Sequence, residues 1–308
     1  PSWASDDKLR MLIPAVLAGA WAEKSKADTK ILSSLSEREY DDYVSTIHPF
    51  LSVDDPPITR AGEVWILAAP ADAFALSEHL ITPQDLTRLE KCVREVFGEI
   101  DPSIDLEPKE LPFAGLHGKT LQNSSWLRDG LAQTLLSVAV IGNNLTFPAG
   151  SDQQTFVNSL IRQLPGLRTD PRLLISLRDQ LPVLMEAAPD PFVEALETLL
   201  QGDDRIAQVI FSDKDSSLWG DCRHAGILWA LEGFAWDPAW LSRVSLILVK
   251  LAEIDPGGKY SNRPIRSLRE IFLPWHPGTN ATHIQRLQVI DMILSRSPEI
   301  GWNLLTSL

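Results

Sequence analysis

Four helical patterns in the second half of the chain open alike, with Asp170-Pro171, Asp190-Pro191, Asp237-Pro238 and Ser297-Pro298. At such a start the side-chain oxygen accepts an orphan amide, while proline occupies a position that needs no amide hydrogen. Beyond residue 110, apolar residues recur at i, i+3, i+4 and i+7; Leu241, Val244, Leu248 and Leu251 form one such stripe. Helices are therefore predicted over 111–120, 125–141, 152–164, 172–187, 191–201, 222–234, 238–253, 264–272, 281–295 and 298–307, with no strand among them. The four starts are unequally spaced, so there is no strict repeat. An irregular stack of helical hairpins of HEAT or armadillo type accounts for this better than a regular array.

The first hundred residues read differently. A buried helix bent by Pro14 is predicted over 8–20, a second over 29–35, and a third from a Ser36 cap to about Ile47, where Glu39 completes a capping-box pattern and Pro49 ends the helix. Ile58 to Ala69 carries the one convincing β signal, a hairpin turning at Ala61-Gly62. Helices resume at 72–80 and at 82–97, where Thr82 caps, Pro83 takes the first position and Asp85 adds first-turn charge. This order suits a winged-helix-like layout, or a plain helical domain with one hairpin. The polar stretch from Asp101 to Glu110 marks the expected boundary. The expected fold is thus mainly α: residues 1–100 form a small α+β part, and 101–308 the helical repeat-like domain.

At 308 residues and 44% hydrophobic content the chain can bury a sizeable core. A net charge of −13 argues against a general nucleic-acid binder, although a local basic patch remains compatible with it. Cys92 and Cys222 lie far apart in helical patterns and read as two buried thiols of a reducing, cytoplasmic compartment. The apolar runs Met11–Ala22 and Leu246–Val249 fall short of the roughly 20 residues a membrane span needs. Asp6-Asp7 spoils the basic start of a signal peptide, so the sequons at Asn123, Asn144 and Asn280 read as chance. A start at Pro1 without Met, and an end inside the apolar pattern WNLLTSL, suggest a piece of a longer polypeptide.

No residue set assembles an enzyme. Gly115 to Thr120 ends in Gly-Lys-Thr, but a phosphate loop needs glycine where Phe113 stands and a buried strand before it, whereas Pro108 to Phe113 is proline-broken. Gly257-Gly258-Lys259-Tyr260 lacks the magnesium-binding hydroxyl residue; Asp255 to Gly258 reads as a helix stop. His224, beside Asp221, Cys222 and Arg223, and His276 are the only histidines with a catalytic reading, and a hydrogen-bonded packing role suits them better. No cofactor or metal site is predicted.

Residues 219–275 hold Trp219, Trp229, Trp236, Trp240 and Trp275, and the spacing of Trp229, Trp236 and Trp240 predicts core positions rather than an exposed binding surface. Lys259, Arg263, Arg266 and Arg269 form a basic stripe with no acid until Glu270. They either hold phosphates or an acidic partner, or pair with Glu253, Asp255 and Glu270.

The same region carries Ala230-Leu231-Glu232-Gly233, Trp236, Pro238, Leu241, Arg243-Val244, Leu251-Ala252, Asp255 to Gly258, Asn262-Arg263-Pro264, Ser267 to Pro277 and Gly301-Trp302. In these residues the chain resembles the helical region of large bacterial multidomain proteins, similar to signal-transduction ATPases with numerous domains, several implicated in antiphage (antiviral) defence. The resemblance extends to residues 1–140. It implies a non-catalytic scaffold and recognition region that binds a protein partner or another domain, with the ATPase elsewhere. Two alternatives stand beside it: a nucleic-acid-sensing module using Lys259, Arg263, Arg266 and Arg269, and an all-α hydrolase centred on His224 or His276.

Overall fold

The computed structural model describes residues 1–107, 109–202, 207–211 and 222–308; Pro108, Trp219 and Asp221, singled out above, lie outside the described residues. The protein is mainly helical, with one small antiparallel sheet near the N-terminus. Its contacts divide it into two units, residues 1–99 with 121–165, and residues 100–120 with 166–308. Residues 121–165, placed by the sequence in the second domain, thus belong with the first unit.

The first unit begins α1 (Asp6–Ala18), β1 (Ala20–Ala22), α2 (Lys26–Ser36), α3 (Tyr40–Ile47), β2 (Ile58–Ala61) and β3 (Val64–Leu67). The strands lie in the order β1-β3-β2, with Trp21 opposite Trp65 and Ala61 opposite Val64. Helix, strand, two helices and a hairpin whose second strand takes the centre is the connectivity of a winged helix. The hairpin turns on Gly62 at φ +63°, one residue later than predicted. Strand β1 has no counterpart in the prediction, which ran α1 on through Ala20. Gly19, at φ +74°, ends α1 and reverses the chain, and a three-residue strand is too short to show alternation. Trp21 and Trp65 are fully buried and stack with centroids 5.7 Å apart.

The expected Ser36–Glu39 capping box does not form. Glu37 takes a left-handed C-cap conformation behind α2, and Glu39 becomes the N-cap of α3. Thr82 and Asp85 do form a capping box at the start of α5 (Pro83–Phe97), which follows α4 (Pro70–Ser77).

Helix α6 (Ser125–Ile141) packs on α1 and β1 and is followed by α7 (Gln153–Arg162). Two features join it to the sheet. The fully buried Asp28 carboxylate accepts hydrogen bonds from Ala22 N at 2.9 Å, from Asn123 Nδ2 at 3.3 Å, from Ser124 N at 2.9 Å and from the Ser124 hydroxyl, so the cap of α6 is tied to the β1–α2 connection. In addition, Gly130 lies against Gly19, so close that a Cβ on Gly130 would fall 2.2 Å from Ala18 O.

The second unit contains α8 (Pro171–Ser176), α9 (Leu181–Ala187), α10 (Pro189–Gln201), α11 (Ala225–Phe234), α12 (Pro238–Ile254), α13 (Pro264–Phe272), α14 (His283–Arg296) and α15 (Pro298–Ser307). Sequential neighbours α12 with α13 and α14 with α15 pack together, while α9 packs on α11 and α10 on α12. Asp170 and Asp237 cap α8 and α12 as predicted. Helix α10 instead starts at Pro189, which places Asp190 inside its first turn, and Ser297, at φ −141° and ψ 81°, makes no side-chain cap bond. The helix predicted over 172–187 is broken between Ser176 and Leu181, where tight bonds from Arg178 N to Ile175 O and from Gln180 N to Leu177 O replace the α-helical ladder. Over 111–120 only the 3-10 turn Leu111–Phe113 forms. Among the described residues no strand follows Leu67, and no helix is long and apolar enough to cross a membrane.

Candidate functional site

The basic stripe divides on folding. Arg263 is nine-tenths buried; its guanidinium pairs with Asp255 at 3.0 Å, and its Nε donates to Tyr260 O at 3.1 Å. Asp255 also accepts from Gly257 N at 2.9 Å, so Arg263 holds the Gly257-Gly258 helix stop, where both glycines have positive φ. Arg269 is half-buried and its Nε donates to Ser307 O at 2.8 Å, which ties α13 to the end of α15. Lys259 and Arg266 are exposed, and Lys259 lies over the Tyr260 ring. Two of the four cations therefore hold structure, and two reach the surface.

The tryptophans correct the sequence reading. Trp229 and Trp236 are 58% and 59% exposed, not core, and Trp240 is half-buried, edge-on to Phe234, with the Arg243 guanidinium over its ring 5.4 Å from the centroid. Trp275 at 72% and Trp302 at 66% are more exposed still. Trp229 faces away because α11 buries Ile227, Leu228, Ala230 and Leu231. Trp236 sits on the α11–α12 corner. The loop bearing Trp275 returns to that corner, where Asn280 N donates to Trp236 O at 2.9 Å. Among the described residues, four tryptophans are thus more than half exposed, all of them in the second unit.

In the first unit, α3 occupies the place of a recognition helix. It carries exposed Asp41 and Asp42, follows exposed Glu39, and contains no lysine or arginine. On the hairpin, Arg60 pairs with Glu23 at 2.5 Å and Glu63 pairs with Lys24. Neither α3 nor the hairpin thus offers a net positive surface for a nucleic-acid backbone.

The remaining candidates have structural surroundings. His224 is fully buried, with Nε2 2.6 Å from Asn262 O and its ring on Phe211 at 5.1 Å; Cys222 Sγ lies 3.4 Å from the same nitrogen. His276 is exposed. Gly115 to Thr120 forms exposed turns after a 3-10 turn, without a strand before it. Neither cysteine forms a disulfide among the described residues, but Cys222 is only half-buried, whereas burial pushes the Cys92 thiol up to about 12. Among the described residues no group of His, Cys, Asp and Glu is placed to hold a metal ion.

Comparison with known protein families, with curated proteins and with solved structures finds no match to this chain.

Proposed function

We propose that this chain is a non-catalytic recognition region: an irregular HEAT-like helical stack with a winged-helix-like first unit, binding a protein partner or another domain of its own polypeptide. The observation that carries this reading is the exposure of Trp229, Trp236, Trp275 and Trp302. Tryptophan anchors dominate protein interfaces because each buries a large rigid surface at low entropic cost, whereas the exposed part of such a ring contributes nothing to the free chain's core. The setting, a larger bacterial defence or signalling ATPase acting in the cytoplasm, follows from the resemblance in residues 219–308.

The nucleic-acid alternative draws less support, since Arg263 and Arg269 are engaged within the fold and α3 is acidic. The hydrolase alternative draws less still, because His224 is a buried packing residue.

Photo-crosslinking from benzoylphenylalanine at positions 236 and 275 in cells tests the proposal. A discrete protein adduct from either position that is lost when Trp229 and Trp302 are changed to serine is the expected result. Micromolar ATP binding by this chain in calorimetry, or a salt-dependent nucleic-acid shift abolished by reversing charge at Arg266, would overturn it.

A further inference from the structure

In the first unit, three arginines line a cavity of about 190 Å³ between α1, α2, α3 and α5. Arg10, Arg38 and Arg88 stand in its wall with two carboxylates, Asp85 and Glu37, and the buried Tyr43 lies beneath them. Three guanidiniums against two acids, in a chain whose net charge is −13, reverse the local sign.

The two acids are not equivalent. Asp85 is buried and saturated: it accepts from Arg10 at 2.6 Å, from Thr82 N at 2.8 Å, from the Thr82 hydroxyl at 2.7 Å and from Arg88. Its role is to position the two arginines, and it has no capacity left for a third. Glu37 is the opposite case. Its side chain is 71% exposed, its backbone is left-handed at φ 55°, and among the described residues it makes one ion pair, with Arg88 Nη1 at 2.7 Å. An exposed pair of this kind contributes little, so the carboxylate is cheaply displaced. Arg38 is exposed and, among the described residues, makes a single side-chain bond, 3.3 Å to the Thr46 hydroxyl. Arg88 Nε is buried without a hydrogen-bond partner among the described residues.

We infer that Arg88, Arg38 and Arg10 form a receptor for a phosphate monoester headgroup, with the Glu37 carboxylate as a tethered competitor for the same guanidinium. Arginine suits this ligand because its planar donors match phosphate oxygens and keep their charge at every physiological pH. Drug-sized ligands occupy roughly 300–1,000 Å³, so the smaller cavity takes a single headgroup and leaves any attached group outside. A dianion replaces the single charge of Glu37 and engages Arg38 as well, which the short Glu37 side chain does not.

Titration of the full chain with inorganic phosphate, phenyl phosphate and acetate at constant ionic strength, followed by NMR shifts of the arginine side chains, tests this. Saturable phosphate binding is expected, about tenfold tighter in Glu37→Gln and at least tenfold weaker in Arg38→Gln, whose exposed site leaves folding intact. Tighter phenyl phosphate than inorganic phosphate supports a monoester; equal affinity for acetate and phosphate overturns the phosphate assignment. Absence of saturable binding by the folded Glu37→Gln variant overturns the site itself.

Discussion

Gly19 and Gly130 meet backbone to backbone: a Cβ on Gly19 would lie 2.6 Å from Gly130 Cα, and one on Gly130 would lie 2.2 Å from Ala18 O. Neither contact can be relieved by turning a side chain, so the α1–β1 junction and α6 must separate to admit even a methyl group. Gly130→Ala is expected to cost about 3 kcal/mol of stability, at the upper end for overpacking, and to lower the urea midpoint without changing the slope.

Removing the Asp28 carboxylate leaves the amides of Ala22 and Ser124 without their acceptor. Asp28→Ala should cost roughly 3 kcal/mol, since each orphaned buried donor carries a desolvation penalty. Hydrogen exchange at Ser124 and Leu127, at the start of α6, should accelerate first.

Burial alone would raise the Asp85 carboxyl, but hydrogen bonds from Arg10, Thr82 and Arg88 outweigh it and hold it below the ordinary carboxylate value. A folded pKa below the unfolded value of about 4 adds stability that is fully present above pH 4 and lost as pH falls through the folded value. Acid titration of the unfolding free energy should therefore show a steeper decline for the native chain than for Asp85→Asn.

Two arginines of the basic stripe should separate cleanly. Arg263→Ala strands the nearly buried Asp255 and should cost about 3 kcal/mol, whereas Arg266→Ala on the exposed side of α13 should change stability by less than about 0.5 kcal/mol. Thermal unfolding of both variants checks the contrast.

Serine at Trp236 or Trp275 should likewise leave stability within about 0.5 kcal/mol of the native value. Each change should also reduce the iodide-quenchable fraction of tryptophan fluorescence, because these indoles are more than half exposed.

Periodicity read the helices well wherever a stripe had a single buried face: α6, α12, α13 and α15 fall close to their predicted spans. It failed where a local hydrogen bond decided the outcome. The break between α8 and α9 depends on tight turns that no apolar pattern encodes, and β1 exists because Trp65 offers Trp21 a stacking partner more than forty residues away. The tryptophans were misread by counting spacing across a helix corner. On α11 alone, Ile227, Leu228 and Leu231 define the buried face, and Trp229 lies opposite them. Membership of 121–165 in the first unit was hidden because the apolar stripe of α6 does not name the surface it packs on, and the specific ties to that surface run through Asp28 and two glycines, which carry no hydrophobic signal.

That membership has a consequence for synthesis. When residue 99 has left the ribosome, the winged-helix-like elements exist but the groove at Gly19 is still open to solvent, and the carboxylate of Asp28 still faces water in place of Ser124. At about 5–20 residues per second, the segment that closes both arrives several seconds later. During that interval the surfaces of α1 and β1 that α6 covers in the folded unit stay open to solvent.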